Sequence, residues 1–192
     1  MLLMAGLLIA PVELGAQSGY EARPESKVWI KGTSTVHDFD CTSDKISGNA
    51  KVTQTAVDDT VEADSQLDIE IIFPVKQFDC GRSRMNRDFY ETLEAENHEA
   101  ITFDFISAQK TDNPTDEYDL YQVVGILNVA GVEREVTVEV KGTRTDDGAI
   151  RITGVHPISM KDFDIEPPTA LMGMIQVHDE LEVHFELLVD SN

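Results

Sequence analysis

Alternation of apolar and polar residues constrains the fold of this chain more than any other feature of the sequence. In the segment 61–73, apolar residues such as Ile69 and Ile71 alternate with acidic ones such as Glu70, and the segment 175–189 repeats the pattern over a greater length. Successive side chains of a β-strand point to opposite faces, so this period of two predicts strands with one buried and one solvated face. The expected architecture is antiparallel and all-β.

Shorter runs of the same period predict further strands, and turn residues predict how they connect. The segments 128–131 and 146–148 lie between such runs, and each ends in glycine, which adopts the positive φ that hairpin turns require. Most strands are therefore expected to be joined to their sequence neighbours. The shorter runs lie at 28–31, 46–55, 101–105, 121–129, 132–140 and 149–153.

One helix is expected, at residues 84–96. Met85, Phe89 and Leu93 are spaced by four residues within it, so they share one face, and acidic residues occupy much of the remainder. We expect this short helix to cover an end of the sheet.

Four sequence blocks point to a known family: GTSTVHDF at 32–39, RSRMNRDFY at 82–90, HEAITF at 98–103 and GILNVAGV at 125–132. In their order and spacing they resemble the YceI-like family of lipocalin-like proteins, and the resemblance covers roughly residues 27–189. It implies an extended antiparallel β-barrel of about eight strands around an elongated apolar cavity. Because members of this family hold long polyisoprenoid or similar lipids, the resemblance also implies an apolar lipid partner such as an isoprenoid chain.

The chain departs from the family pattern at Glu99 and Ala100, where a proline is common, and at Cys41 and Cys80. In an exported chain, two cysteines indicate a disulfide. The bridge would close a loop of about 40 residues and, in the chain-entropy description, stabilise the fold by roughly 4 kcal/mol. The alternative is a redox or metal-binding pair, although no Cys-x-x-Cys and no neighbouring histidine cluster accompanies it. No metal site is predicted.

The N-terminal segment precedes the predicted barrel. Residues 1–16 are largely apolar and end in small residues, which is typical of a secretory signal peptide, although no positive residue stands near the start. The stretch is too short for a transmembrane helix. Residues 17–26 are expected to form a linker and residues 27–190 a single domain. The expected localisation is periplasmic or secreted.

The chain is strongly acidic, with 36 acidic and 15 basic residues and a formal net charge of −21. Such a surface repels nucleic acid and anionic membranes, so we expect no nucleic-acid partner and no stable membrane insertion. Many carboxylates, such as Glu135 and Glu139, lie on the solvated parity of the strands. These carboxylates are interpreted either as an ordinary solvated face or as an adaptation to high salt. The sequence is also compatible with a basic partner or a homodimer.

The sequence contains no visible constellation of residues for catalysis. His178 and His184 share a face of the last strand but lie about 20 Å apart, too far for one metal ion. His37 beside Asp38 is interpreted as a surface pair. Without a Gly-x-Ser-x-Gly, His-Glu-x-x-His or phosphate-binding glycine motif, the sequence indicates a protein that is not an enzyme and has no cofactor.

Two groups of residues form the predicted ligand site. Polar residues at the start of the helix could bind a ligand head group at the barrel mouth, with salt bridging as the alternative. They are Arg82, Arg84, Asn86, Arg87 and Asp88. Apolar residues of the inward strand parity, together with Phe89 of the predicted helix, would line the interior, although they could equally fill a packed barrel. They are Leu67, Ile69, Ile71, Phe73, Phe89, Phe103, Phe105, Val123, Leu127, Val136, Val138, Val183 and Phe185.

The segment 163–174 is the least regular part of the chain. It contains Pro167 and Pro168, followed by Leu171, Met172 and Met174. A loop rich in methionine and leucine can act as an adaptable lid over an apolar ligand, or it can plug the barrel for stability.

The sequence favours an exported, non-enzymatic carrier or storage barrel for a long apolar ligand, such as a polyisoprenoid or a quinone-like lipid. Burial of apolar ligand surface, worth about 25 cal/mol per Å², would drive binding. The alternative is a filled barrel that serves as an envelope or stress-related interaction module through its acidic face or the loop at 171–174. An enzyme acting on such lipids is the least favoured hypothesis.

Overall fold

A computed structural model describes residues 18–55, 64–111, 117–170 and 172–191. Within these ranges the chain is mostly antiparallel β-structure with one α-helix, α1 (Ser83–Thr92), which confirms the predicted fold class. Eight strands have eight or more residues, in agreement with the expected barrel, and three shorter strands accompany them. The strands are β1 (Ser18–Ala22), β2 (Lys27–Ser34), β3 (Asp38–Ser43), β4 (Ser47–Thr55), β5 (Asp64–Pro74), β6 (Ala100–Thr111), β7 (Asp119–Val129), β8 (Val132–Arg144), β9 (Ile150–Ser159), β10 (Thr169–Ala170) and β11 (Ile175–Ser191).

The strands form one curled antiparallel sheet. Neighbours follow the order β1-β4-β5-β6-β7-β8-β9-β11-β2-β3, and the short β10 pairs with β11. The turn between β7 and β8 has positive φ at Ala130 and Gly131, as expected for the predicted hairpin. The sheet closes through β1, because Tyr20 pairs with Ala50 of β4 and with Ser191 of β11. The result is a barrel.

Glycines make room for large side chains that point into the barrel. The register pairs Phe185 of β11 with Gly154 of β9, so the ring lies across a residue that has no side chain. A Cβ at Gly154 would collide with that ring, and a Cβ at Gly125 would collide with the ring of Phe103. These rings therefore lie against the wall of the barrel, and the space along its axis stays open.

The helix α1 confirms the predicted helix but ends four residues before its expected end at residue 96. Glu94 has a φ of 49°, which is the left-handed region, and the backbone N–H of Ala95 donates to the carbonyl of Tyr90 over 2.9 Å. Both features terminate a helix. The face that carries Met85 and Phe89 packs against buried residues of the barrel, so α1 covers the sheet as expected.

A disulfide between Cys41 and Cys80 attaches the edge strand β3 to the segment that precedes α1, which confirms the predicted bridge. Cys41 is 1% exposed. Next to the bridge, Thr42 and Asp79 exchange two backbone hydrogen bonds of 2.9 Å. The covalent link and this short pairing attach the segment before α1 to β3, the strand at the free edge of the sheet.

The segment 17–26, which the sequence predicts as a linker, contains β1. Its sequence, SGYEA, lacks the apolar alternation that signals a strand, so only its pairing with β4 and β11 defines it. Arg23 then donates to both carboxylate oxygens of Asp190 over 2.8 and 2.7 Å, and to Asp147 in the turn between β8 and β9. The predicted signal peptide at 1–16 lies outside the described residues.

A buried apolar cluster closes the end of the barrel beneath the C-terminus of α1. We call it the end cluster. It joins the 3₁₀ turns at Val75–Gln77 and Met160–Phe163 to the β7–β8 hairpin. Its buried members are Val75, Leu93, Ala95, Ile101, Val129, Met160, Phe163 and Ile165. Packing of this kind excludes water from that end of the interior.

Candidate functional site

The barrel encloses an elongated cavity of about 1080 Å³. Asp119 and Val129, the first and last residues of β7, both line it. At the rise of a β-strand, ten residues correspond to about 33 Å, so the cavity follows almost the full length of the strand. Its volume exceeds the upper end of the range of about 300 to 1,000 Å³ that is typical of small-molecule sites. The barrel is therefore hollow, which sequence periodicity alone left open.

The cavity wall contains the apolar residues that the inward parity predicts. Twelve of them line it, while the side chain of the thirteenth, Leu67, lies outside the described part of the structure. The twelve are Ile69, Ile71, Phe73, Phe89, Phe103, Phe105, Val123, Leu127, Val136, Val138, Val183 and Phe185. Their position in the wall is a structural observation, and their contact with a ligand stays a prediction.

Sequence reasoning missed several wall residues on strands that it assigned only in part. Val28 and Ile30 of β2 belong to an alternating run that was recognised, so their parity alone could have identified them. Ile152, His156 and Ile158 lie on β9, which continues beyond the expected end at residue 153. Gly154 and Pro157 interrupt the apolar pattern there, and this interruption hides the strand in the sequence.

The polar cluster at α1 divides into two parts. Arg82, Arg84 and Asp88 line the cavity where α1 crosses it, whereas Asn86 and Arg87 are not part of the wall. The Asn86 side chain instead supports the turn before the helix: its Oδ1 accepts from the backbone N–H of Cys80 over 2.7 Å, and its Nδ2 donates to Asp79 over 3.0 Å.

Charged groups in and near the turn before α1 are stabilised by local hydrogen bonds and by one ion pair. Hydrogen bonds from Asn86 and from the backbone N–H of Gly81 hold the pKa of Asp79 below its usual range. On the helix, Arg84 and Asp88 form an exposed ion pair of 3.8 Å. The structure is therefore compatible with both interpretations of the cluster. Its arginines border the cavity, as a head-group site requires, and Arg84 also forms a salt bridge along the helix.

Polar residues also lie at the opposite end of the cavity. Asp119, Thr143 and Arg144 line it where β7 begins and β8 ends. Asp119 forms an ion pair of 2.6 Å with Lys110 of β6, and the hydrogen bond raises the pKa of Lys110. The long cavity is thus bordered by charged groups at its far end as well as at α1.

His156 is the exception to the apolar character of the middle of the wall. It lies on β9 opposite Val183 of β11, and its ring faces the cavity. Burial lowers its pKa, because the apolar surroundings disfavour the charged imidazolium. At neutral pH the side chain is therefore an uncharged imidazole with one hydrogen-bond donor and one acceptor.

The first half of the irregular segment 163–174 packs at one end of the barrel, as the plug alternative predicts, whereas its role as a lid stays a prediction. Phe163 and Ile165 are buried in the end cluster, and Pro168 lines the cavity, so the first half plugs one end. Met172 is fully exposed and Met174 is 68% exposed. Leu171 lies outside the described residues.

The described residues contain neither a candidate metal-binding cluster nor a membrane-spanning helix. No group of three or more histidine, cysteine, aspartate or glutamate side chains there is arranged to hold a metal ion. No helix in the same part of the chain is long and apolar enough to cross a membrane.

Solved structures of similar fold share this architecture. BcnA from Burkholderia cenocepacia is 21% identical with a TM-score of 0.64, over 86% of this chain and 96% of that chain. A polyisoprenoid binding domain from Saccharophagus degradans, implicated in plant cell wall breakdown, is 11% identical with a TM-score of 0.66, over 90% and 98%. The YCEI protein of Campylobacter jejuni is 12% identical with a TM-score of 0.51, over 99% and 93%. At these identities the likeness shows the fold.

The search of curated proteins gave no match for this chain. A family model described as the YceI-like domain matches residues 23–189. The match begins at Arg23, directly after β1, and ends within β11, so it includes nearly all of the described barrel and every wall residue of the cavity. On this evidence, the chain belongs to the YceI-like family.

Proposed function

We propose that this protein binds one long apolar lipid, an isoprenoid or quinone-like chain, within the barrel and carries or stores it away from water. The observation that carries the proposal is the elongated cavity of about 1080 Å³ with its apolar wall. Burial of apolar ligand surface stabilises the complex by about 25 cal/mol per Å². A filled barrel, the alternative, would leave no space of this size.

Family membership supports the same ligand class. The Saccharophagus degradans domain of similar fold is described as polyisoprenoid binding. In the proposed complex the apolar chain contacts residues such as Phe103, Val138 and Phe185, and the head group lies near Arg82 and Arg84 of the α1 region. A guanidinium group is well suited to hydrogen-bond the oxygen atoms of such a head group.

The proposal includes export and a non-enzymatic role. A disulfide in a small domain is typical of oxidising compartments such as the periplasm, which agrees with the signal peptide expected at residues 1–16. Binding needs no chemical step, so a lipid that is loaded into the protein should be recovered with its mass unchanged.

The test blocks the cavity without changing the outer surface. Val138→Trp places a large ring in the middle of the cavity, while Thr137→Trp adds the same ring to the exposed face of the same strand. After removal of endogenous lipid, the wild-type protein and Thr137→Trp should take up one equivalent of geranylgeraniol, and Val138→Trp should take up much less. Circular dichroism checks that all three are folded. Equal uptake by both variants would contradict an interior site.

A further inference from the structure

His156 is the one described polar side chain in the middle of the cavity wall. The other polar wall residues lie at the two ends of the barrel or on α1 and the turn before it; they include Ser34, Asp119 and Arg144. On β9, His156 is three residues from the last residue of the strand, Ser159, which corresponds to about 10 Å along the strand. It therefore lies well inside the barrel rather than at an opening.

The surroundings of His156 offer apolar groups only. Val183 is its partner on β11, Ile158 shares its face of β9, and the Phe185 ring lies across the neighbouring Gly154. Within the described residues, neither ring nitrogen has a hydrogen-bond or ion-pair partner. Neither nitrogen is an inaccessible polar atom without a partner, so the donor and the acceptor of the neutral imidazole remain available to a molecule in the cavity.

This arrangement limits which ligand can fill the cavity well. In a cavity filled with water, the solvent satisfies the imidazole. A pure hydrocarbon chain would displace that water and leave a buried donor and acceptor without partners, which is unfavourable. A ligand that brings an oxygen atom to this position avoids the penalty, so the wall favours an oxygenated lipid.

We propose that His156 is a polar subsite inside the cavity that hydrogen-bonds a hydroxyl or carbonyl oxygen of the bound lipid, and thereby selects oxygenated isoprenoids over isoprenoid hydrocarbons. This inference rests on the proposed function, since it requires that a lipid occupies the cavity. Val183 packs in the same cluster as Met85 and Phe89 of α1. In the proposed complex, the ligand oxygen bound to His156 lies in the part of the cavity nearer to α1. The apolar chain extends from there toward Asp119 at the opposite end.

The test compares geranylgeraniol with the hydrocarbon that lacks its hydroxyl group, each bound to the delipidated full chain. One hydrogen bond in an apolar site should make wild-type protein prefer the alcohol by about five- to tenfold. His156→Leu should reduce this ratio to one or below, because the buried hydroxyl then has no partner, and His156→Gln, which retains a donor and an acceptor, should keep part of the preference. His178→Leu, on the exposed side of β11, is the matched control and should keep the full ratio.

A second readout separates a direct hydrogen bond from a change in packing. The ring nitrogens of His156 should keep the chemical shifts of a hydrogen-bonded imidazole when the alcohol binds, and should move to those of an imidazole without partners when the hydrocarbon displaces the water. An equal affinity for both probes, or a preference that survives in His156→Leu, would overturn the subsite while leaving the lipid-binding function intact. Failure of the folded wild-type protein to bind either probe would overturn both proposals.

Discussion

The two ends of the barrel are stabilised by different interactions. At the α1 end, the end cluster buries apolar side chains, and the disulfide between Cys41 and Cys80 attaches the helix segment to β3. At the opposite end, β1 closes the sheet through only a few pairs, and the contacts around it include partly exposed ion pairs such as Arg23 with Asp190 at 2.7 Å. Solvent and salt screen such pairs, so they contribute little.

This difference indicates which end opens more readily. Burial of one large apolar side chain contributes about 1.5 to 3 kcal/mol, and the end cluster contains several of them. Local opening follows regions with few buried contacts. We therefore expect the β1 end to exchange between closed and open states and to admit the lipid chain, while the α1 end remains closed.

Removal of the disulfide should have the largest effect on stability. Replacing both Cys41 and Cys80 by serine should lower the free energy of unfolding by about 4 kcal/mol, because the unfolded chain regains the freedom of a long loop. Urea denaturation measures the change. A reductant should destabilise wild-type protein by a similar amount and leave the variant unchanged. A variant as stable as oxidised wild-type protein would show that apolar packing alone holds this end.

Truncation of Phe163, which is 3% exposed in the end cluster, should have the next largest effect. Phe163→Ala should lower the free energy of unfolding by about 3 kcal/mol, at the low end for a buried phenylalanine because its neighbours can relax toward the cavity. The outward-facing Val155→Ala should change it by less than about 0.5 kcal/mol. Equal effects would mean that the end cluster is not a rigid closure.

His156 in the middle of the wall should make stability depend on pH near neutrality, whereas Asp79 and Asp147 at the two ends, whose pKa values are lowered, act only at acidic pH. The pKa of His156 is lowered in the folded protein, so the unfolded state binds a proton more readily, and stability should fall as the pH drops below about 6.5. Thermal unfolding between about pH 7.5 and pH 5.5 measures this slope. His156→Gln should flatten it. An unchanged slope in that variant would assign the effect to another group.

The smallest effect is expected from the ion pairs at the β1 end. Arg23→Gln should lower global stability only slightly, and added salt should shrink the difference. Hydrogen bonds from Thr145 and Arg23 lower the pKa of Asp147 to about 2, so these contacts persist well below neutral pH.

Hydrogen exchange should locate the Arg23→Gln effect in β1 and at the end of β11. Protection should decrease there, whereas the amides of the β7–β8 hairpin at the α1 end should keep their wild-type protection. Uniform loss of protection across the barrel would contradict the proposed difference between its ends.

The sequence predicts part of the wall, because alternation is a local property. Ile69, Val138 and Phe185 all have the parity that the strand period assigns to the interior. The one pair of cysteines likewise leaves a single intramolecular disulfide to consider. These features need no knowledge of how distant parts of the chain meet.

Other features depend on distant contacts, and sequence patterns do not reveal them. β1 is defined by its backbone pairing with β4 and β11, and its own residues give no strand signal. The sequence does not predict His156 as a wall residue, because Gly154 and Pro157 interrupt the apolar pattern of the strand that carries it. Whether the barrel is hollow depends on sheet curvature and on the close approach of Phe185 to Gly154, and alternation carries no information about either.

The most direct test of the lipid-binding proposal is purification of the protein from its natural host under mild conditions, followed by organic extraction and mass spectrometry. We predict one equivalent of a long isoprenoid-type lipid that carries at least one hydroxyl or carbonyl oxygen. A protein that yields no lipid, and that also takes up no added isoprenoid after purification, would contradict lipid binding in the barrel.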